Sequence, residues 1–516
     1  MPYQNIELFA GCGGFSLGLK ASGFKLLFAN ELSPMAGETF SYNLLNENLF
    51  ELASSNKTAT NTLWINSQFP AQKLHERLKE RPENASNGVY SDLSCDIWKN
   101  KLLVGDIANL INFFMENPGL EKKIKELDVE VISGGPPCQS FSSAGRREKE
   151  NHKNKLPLQF AKFAGIVKPK FVLLENVKGI TLAFKENGKK YFAWQEIAKA
   201  FAIEGFIPVC TLLNSKYFGV PQNRVRFVMI GIRRDIAMRL RKIIDQDYLD
   251  DAIKFYYNVQ ENSSKENHAI FKNIKLLNIE EAQNQLLFNG ILLPQIINSE
   301  GNYYSTKDAL NDLIGPKTKS KYLALLDSSF GEKENKSIEN HVLRNHTERV
   351  KNRFMLYQNI NQLKNGLKSK ALNIIEGVNI SEEEKNLVLE NLLAVMKMQN
   401  IELKYSLRDL IDDVRTNKHS QRALIAELPS PAQMTIPDEL CHYDIQHPRT
   451  LTVREIARIQ SFPDWFTFKS KATTGGKKRA YEVPQYSQVG NAVPPLMAKA
   501  IGDGIVNALK LISSYG

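Results

Sequence analysis

The first 235 residues alternate short apolar runs with helical patterns. NIELFAG (5–11), FKLLFANE (24–31), VEVISGG (129–135), KFVLLENV (170–177) and RFVMIGI (226–232) read as buried strands. Helical stretches lie between several of them, at 156–167 and 191–204. Buried strands separated by helices predict a parallel α/β sheet. The polar stretch 43–101 breaks this pattern with little β character and reads as an insertion, helical around HERLKERPE (75–83). Residues 236–445 change character: they are rich in Asn, Lys, Leu and Ile, with helical periodicity and few strand signals. SEEEKNLVLENLLAVMKM (381–398) reads as an amphipathic helix whose acidic start complements the helix dipole. This is read as a second domain. RTLTVREIARIQSFPDWF (449–466) opens a new block with a helix at TVREIARIQ, and a further helix is expected in PPLMAKAIGDGIVNALKLI (494–512). The reading is therefore 1–235, 236–445 and 446–516, the last returning to the first, with no internal repeat.

A length of 516 residues exceeds what one core usually takes, in keeping with two domains. The net charge of +11 points to a polyanionic partner. Residues 236–445 hold 27 Lys and Arg against 29 Asp and Glu, so the basic surplus belongs to the flanking parts. The five cysteines, Cys12, Cys95, Cys138, Cys210 and Cys441, are odd in number and form no CxxC pair. That excludes a disulfide framework and a zinc ribbon as leading readings and fits a reduced, intracellular compartment. No apolar run reaches the length of a membrane span, and MPYQNIELFAG lacks the basic and apolar regions of a signal peptide.

FAGCGGFSLGL (9–19) follows the first strand and opens a helix. Its glycines allow a tight turn and a close backbone approach to a ligand. Glu31 ends the second strand 20 residues after Gly11, where a carboxylate can bind both ribose hydroxyls. The pair indicates a nucleoside-cofactor site, open between a nicotinamide dinucleotide and S-adenosylmethionine. In GDI (105–107), Asp106 is either an adenine contact or a plain strand end. GGPPCQSFS (134–142) puts Cys138 at a strand end behind two prolines, which fix φ and remove two backbone donors. Such a cysteine is placed as an exposed nucleophile; an isolated one would read as a small apolar filler. Glu175 in ENV (175–177) ends an apolar strand, so burial can raise its pKa towards neutrality. Alone it is equally a helix cap or an ion-pair partner. QNRVR (222–226) starts the last strand, and alternation puts Gln222, Arg224 and Arg226 on one face.

FAGCGG, GGPPCQSFS, ENV, QNRVR, RTLTVREIARIQSFPDWF and QVGNAVPP occur in one chain in this order, and together they closely resemble the cytosine-5 DNA methyltransferases. The resemblance covers about 1–42, 103–235 and 446–516. It implies a Rossmann-like doubly wound α/β methyltransferase sheet completed by the C-terminal helix, beside a mostly irregular and helical target-recognition domain. It makes Cys138 the nucleophile that adds to carbon 6 of cytosine. Glu175 becomes the group at ring nitrogen 3 and the exocyclic amine, and Arg226 the contact of the ring carbonyl, with Arg224 supporting the same pocket. S-adenosyl-L-methionine is the implied cofactor, held by Phe9, Gly11, Gly13, Glu31, Asp106, Leu156 and Asn491, with Leu32, Ile107 and Pro136 completing the set. Leu32 stands where the family often has an aromatic to stack on adenine. No metal is implied.

A stacked duplex base is out of reach of a thiolate, so the target is expected to be flipped out, at ~ a few kcal/mol. SFSSAGRREKENHKNK (140–155) reads as a loop that closes on DNA, with Gln139, Arg146 and Arg147 as contacts. Sequence recognition is assigned to the middle domain, where Asn345, His346, Arg349 and Arg353 of LRNHTERVKNRF (343–354) are candidate base or phosphate contacts. Lys477 in KATTGGKKR (471–479) is a candidate phosphate clamp. The expected partners are double-stranded DNA and a cognate restriction endonuclease acting separately, with no membrane; the expected setting is a monomer in a prokaryotic cytoplasm. Three other readings are weaker. A tRNA cytosine methyltransferase would keep the middle region short. A catalytically dead DNA-binding relative would not keep Cys138, Glu175 and Arg226. A dinucleotide oxidoreductase leaves PPCQ unexplained.

Overall fold

The computed structural model describes residues 3–55, 57, 59–64, 99–137, 155–186, 189–262, 271, 273–299, 301–316, 318–332, 337–416, 421–433, 435–476, 478 and 482–515. Nine strands form one sheet: β1 (Gln4–Leu8), β2 (Lys25–Glu31), β3 (Thr62–Trp64), β4 (Lys101–Val104), β5 (Val131–Gly134), β6 (Phe171–Val177), β7 (Phe206–Asn214), β8 (Val225–Arg233) and β9 (Leu276–Asn278). Their order is β9-β7-β8-β6-β5-β1-β2-β4-β3. Every pairing is parallel except those of β8, which runs antiparallel to β6 and β7. The chain leaves β1 towards β2 on one side and returns to β5 on the other. That reversal opens a crevice at the carboxyl ends of β1 and β5, where open α/β sheets bind ligands. The five strands read from sequence are all present; β7, β4, β3 and β9 were not foreseen. Within 43–101, read as an insertion with little β character, the three-residue strand β3 is added at the sheet edge beside β4, while HERLKERPE lies outside the described residues.

Helices α1 (Gly14–Ala21), α2 (Pro34–Leu44), α3 (Ile107–Glu116), α4 (Leu156–Val167), α5 (Ala193–Ile203), α6 (Arg234–Ile243) and α7 (Asp247–Asn262) lie around the sheet. In one layer α3, α4, α5 and α7 are successive neighbours, joined by edge-on aromatic contacts such as Phe114–Phe163 at 5.6 Å and Phe160–Phe201 at 5.6 Å. After α8 (Thr306–Ile314) and α9 (Lys321–Phe330), a second set follows: α10 (Glu348–Ile360), α11 (Asn365–Ile375), α12 (Glu382–Met398) and α13 (Leu407–Val414). The chain then returns through α14 (Val453–Ile459), α15 (Gln485–Asn491) and α16 (Pro495–Ser514). Helix α16 lies against α1, as the sequence led us to expect. Only a glycine fits at 18: a Cβ there would stand 2.5 Å from the Ala498 Cβ.

The apolar interior divides at a different place from the 235/236 boundary. Tyr248, Leu249, Phe255, Leu277, Leu292, Leu310 and Tyr322 belong to the core of the sheet, and β9 extends that sheet through β7. A separate core begins at Phe354 and gathers Leu356, Tyr357, Leu392, Val414 and Cys441 from α10, α12, α13 and the short strand Leu440–Cys441. A change of composition at 236 marked a change of surface, not of core.

RTLTVREIARIQSFPDWF connects the two cores. Arg449 grips Glu455 with two bonds of 2.7 and 2.6 Å, and Glu455 also closes a capping box with Thr452. Arg454 donates to the carbonyls of Glu339, Pro463 and Phe466. Arg458 is held between Asp312 and Asp464 at 2.6 Å from each. Three arginines can be buried here because nearly every donor has an acceptor; an unpaired buried charge would be strongly destabilising.

Candidate active site

The turn after β1 is set by backbone conformation. Phe9, Gly11 and Gly13 all have positive φ, at 53°, 55° and 93°. Gly11 faces open space, with nothing within 4 Å of a Cβ built on it, so its backbone is free to meet a ligand. Its N–H donates to Glu31 Oε2 at 2.8 Å, and the Ser33 N–H donates to Oε1 at 2.7 Å. Both bonds aim the carboxyl at the end of β2. Burial raises the pKa of Glu31, opposed by those two N–H groups. Asn30 donates to the carbonyls of Leu103 and Gly105 at 3.0 and 3.1 Å, fixing the end of β4 beside the end of β2. Asp106, next in the chain, is buried and caps α3 through the Ala108 N–H at 2.7 Å. Ile107 is buried, Leu156 and Phe9 are half-buried, and Leu32 is 37% exposed. These groups gather at the carboxyl edge of β1, β2 and β4, and a half-buried carboxyl beside an open glycine turn fits the ribose and adenine of S-adenosylmethionine.

Beneath the turn lies a carboxyl that sequence reasoning did not single out. Glu7 on β1 is buried and takes the hydroxyl of Ser16 in the first turn of α1. Its register partner on β5 is Ser133, whose Oγ is buried without a partner among the described residues. Burial pushes the Glu7 carboxyl up to about 8, and the nearby Glu31 adds to the effect.

The second half of the site lies at the ends of β5 and β6. Glu175 is 7% exposed and accepts from Arg226 Nε at 3.0 Å. Burial raises its pKa above the ordinary value, against the pull of Arg226 and Arg224. A Cβ on Gly135 would stand 3.1 Å from Glu175 Oε2, so the Gly-Gly-Pro-Pro turn runs directly against this carboxyl. Asn176 holds that turn by donating to the buried Pro136 carbonyl at 3.0 Å. Cys138, Gln139, Arg146 and Arg147 lie outside the described residues, as does Lys477.

Gln222, Arg224 and Arg226 do not share one strand face. Gln222–Asn223 pairs with Ser430–Pro431 in a separate two-stranded piece, the chain leaves strand geometry at Arg224, and β8 starts at Val225. Gln222 reaches Gln460, and Arg224 Nη2 reaches the carbonyls of Gly490 and Ala492 at 2.9 and 3.2 Å. Those two carbonyls bracket Asn491, which is exposed at the end of α15. Arg226 alone of the three meets Glu175.

The middle-region candidates are spread over different tasks. Asn345 is exposed. His346 Nε2 pairs with Thr450 Oγ1 at 3.2 Å and its ring packs edge-on to Phe354, tying the loop to 449–455. Arg349 and Arg353 donate to the Asp413 and Val414 carbonyls at 2.5 and 2.7 Å, where they satisfy the last turn of α13. Each guanidinium spends its Nε–H on that carbonyl, and the Arg349 side chain stays 56% exposed.

Residues 3–73 and 97–507 match the family model described as C-5 cytosine-specific DNA methylase. The chain is 26% identical over 509 residues to the type II methyltransferase M.DdeI of Desulfomicrobium norvegicum, spanning 97% of this chain and 88% of that protein. It is likewise 26% identical over 511 residues to the type II methyltransferase M1.HphI of Haemophilus parahaemolyticus, spanning 98% and 87%.

Proposed function

The chain belongs to the C-5 cytosine-specific DNA methylase family and is a DNA (cytosine-5)-methyltransferase, and from that premise we propose how its own residues perform the reaction. The thiolate of Cys138 adds to carbon 6 of an extrahelical cytosine, forming a sulfur–carbon bond while the ring π pair moves to make carbon 5 nucleophilic. Glu175 meets ring nitrogen 3, and a carboxyl with a raised pKa can hold the proton that disperses the charge pushed into the ring. Arg226 holds Glu175 in place and offers its remaining N–H groups to the ring carbonyl. S-adenosylmethionine, when bound, supplies the electrophilic methyl group that carbon 5 takes. The carbon 5 proton then passes to a base, and its bonding electrons expel Cys138 as thiolate and restore the ring. Phe9, Gly11, Gly13, Glu31, Asp106 and Asn491 are assigned to the cofactor. The observation that carries this reading is the buried Glu175–Arg226 pair against the turn that leads directly into Cys138.

The relatives are named type II methyltransferases, which supports a role in protecting DNA within a restriction-modification system, with the endonuclease a separate protein. None of the described helices is long and apolar enough to cross a membrane, and we assign the enzyme to the cytoplasm as a monomer acting on duplex DNA. Expression in a methylation-free host followed by bisulfite sequencing tests the reading. The expected result is 5-methylcytosine confined to one short sequence context, and none with Cys138→Ala, whose binding of S-adenosylhomocysteine is retained. Methyl transfer by Cys138→Ala at the wild-type rate would refute the covalent step.

A further inference from the structure

Gln488 lies three residues before Asn491 in α15 and is wholly buried. Its carboxamide is fully engaged. Oε1 accepts the Thr39 hydroxyl at 2.6 Å. Nε2 donates to the carbonyls of Met35 at 3.1 Å and Val483 at 3.0 Å, with that of Lys469 at 3.4 Å. Its own backbone carbonyl accepts the Cys12 thiol at 3.6 Å. Four segments therefore meet on one residue: the 9–13 turn, α2, the stretch around 469–483, and α15 itself. Three of these carry or adjoin the groups assigned to the cofactor.

The donor and acceptor pattern is specific to a carboxamide. Every group facing Nε2 is a carbonyl oxygen. The Thr39 hydroxyl already accepts the Lys469 N–H at 2.9 Å, so it is left to donate to Oε1. A carboxylate at 488 would oppose the carbonyls, and an aliphatic side chain would leave them without a donor. The link from α2 to Glu31 is short and bonded: Ser33 caps α2 through the Ala36 N–H, and its own N–H holds Glu31. A displacement of α2 is thus passed directly to the ribose-binding carboxyl.

We propose that Gln488 is a positioning residue for the S-adenosylmethionine pocket, fixing the helix that bears Asn491 against the arm that bears Glu31. The proposal rests on the cofactor reading given above. Gln488 touches no reacting atom, so its effect falls on cofactor affinity and not on the chemical step. Thr39→Val removes the hydroxyl at nearly constant volume, and Thr39→Ser keeps it. Calorimetry with S-adenosylhomocysteine, alongside steady-state kinetics, reads the outcome. Thr39→Val is expected to raise that Kd and the KM for S-adenosylmethionine about tenfold, with kcat within about threefold and the KM for DNA unchanged. Thr39→Ser is expected to match the wild type, and Gln488→Leu to weaken binding further. An unchanged Kd in Thr39→Val, or an equal loss in kcat and in DNA affinity, would overturn the proposal; this pair of variants serves even where Gln488→Leu does not fold. Glu31→Ala separates the two layers. If it keeps full affinity, the cofactor reading itself fails; if it loses affinity while Thr39→Val does not, only the role of Gln488 fails.

Discussion

Glu7→Gln is a test of the buried carboxyl under the cofactor turn. An ordinary glutamate loses its proton near 4.5, whereas Glu7 in the fold keeps it up to about 8. Between those values the folded chain binds a proton that the unfolded chain has lost. Stability is therefore intact at low pH and falls as pH rises through this window, by ~1.4 kcal/mol per pH unit. The loss reaches ~5 kcal/mol by pH 8 and then levels off. Glutamine has the same shape, carries no charge at any pH, and keeps an oxygen for the Ser16 hydroxyl. Its amide donor has Ser133 Oγ, the buried neighbour on β5, as a candidate acceptor. Allowing ~1 kcal/mol for a weaker bond to Ser16, the variant should exceed the wild type by ~4 kcal/mol at pH 8 and lie close to it at pH 5. Urea unfolding followed by tryptophan fluorescence at pH 5, 6, 7 and 8 gives the profile. Parallel profiles for the two proteins would refute the reasoning, because they would mean that Glu7 ionises in the fold as freely as in the unfolded chain.

Glu175→Gln should lower kcat by about 10²–10⁴ while the Kd for S-adenosylhomocysteine stays unchanged, read by single-turnover methylation and calorimetry. A kcat within a few-fold of wild type would remove Glu175 from the chemistry. Gly11→Ala should fold with a strain of about 1–2 kcal/mol and lose cofactor affinity, since its Cβ would enter open space at the site. Gly13→Ala should instead lose stability, its Cβ meeting the Leu44 and Phe40 side chains at 2.5 and 2.9 Å, so thermal melts and cofactor titrations should rank the two variants oppositely. Exchange of 348–441 for the matching part of a relative should change the methylated sequence and leave the reaction intact, whereas exchange of 236–445 should give insoluble protein because it removes α6, α7 and β9 from the sheet. Bisulfite sequencing and a solubility assay check both.

The strands that were legible in the sequence are those whose burial is continuous. FVLLENV and VRFVMIGIR sit in the middle of the sheet and keep their polar residues near the strand ends, leaving an unbroken apolar run. β7 is just as buried, yet it contains Pro208, Thr211 and Asn214, which disguise it. The proline is tolerated because β9 pairs with β7 only from Cys210 onward, leaving that edge without a neighbour at 208. β3, β4 and β9 have three or four residues each, too few for a period to register. At the site, Glu31, Glu175 and Arg226 were legible because each sits at a strand end with chemistry attached. Asn30, Asn176 and Gln488 were not, because their partners are backbone carbonyls that only the fold brings near. Each nonetheless stood inside a quoted motif: ANE, ENV and QVGN. Arg349 and Arg353 show a second task on the same face: the helix read as a candidate DNA contact also closes the end of a neighbouring helix through one Nε–H of each arginine.

The union of the two chain ends has a consequence for synthesis. The Cys12 thiol meets the carbonyl of Gln488, and α1 packs on α16, so the first-made and last-made parts of the cofactor pocket are neighbours. On the ribosome, β1 to β8 emerge while α15 and α16 are still untranslated. The nascent chain thus carries an open flank along α1 until α16 has been made, an aggregation-exposed interval that a chain with local closure would not have. The same geometry withholds the finished pocket from any product that stops before α15: it lacks one wall of the cofactor site, and methylation begins only once α15 and α16 have been made.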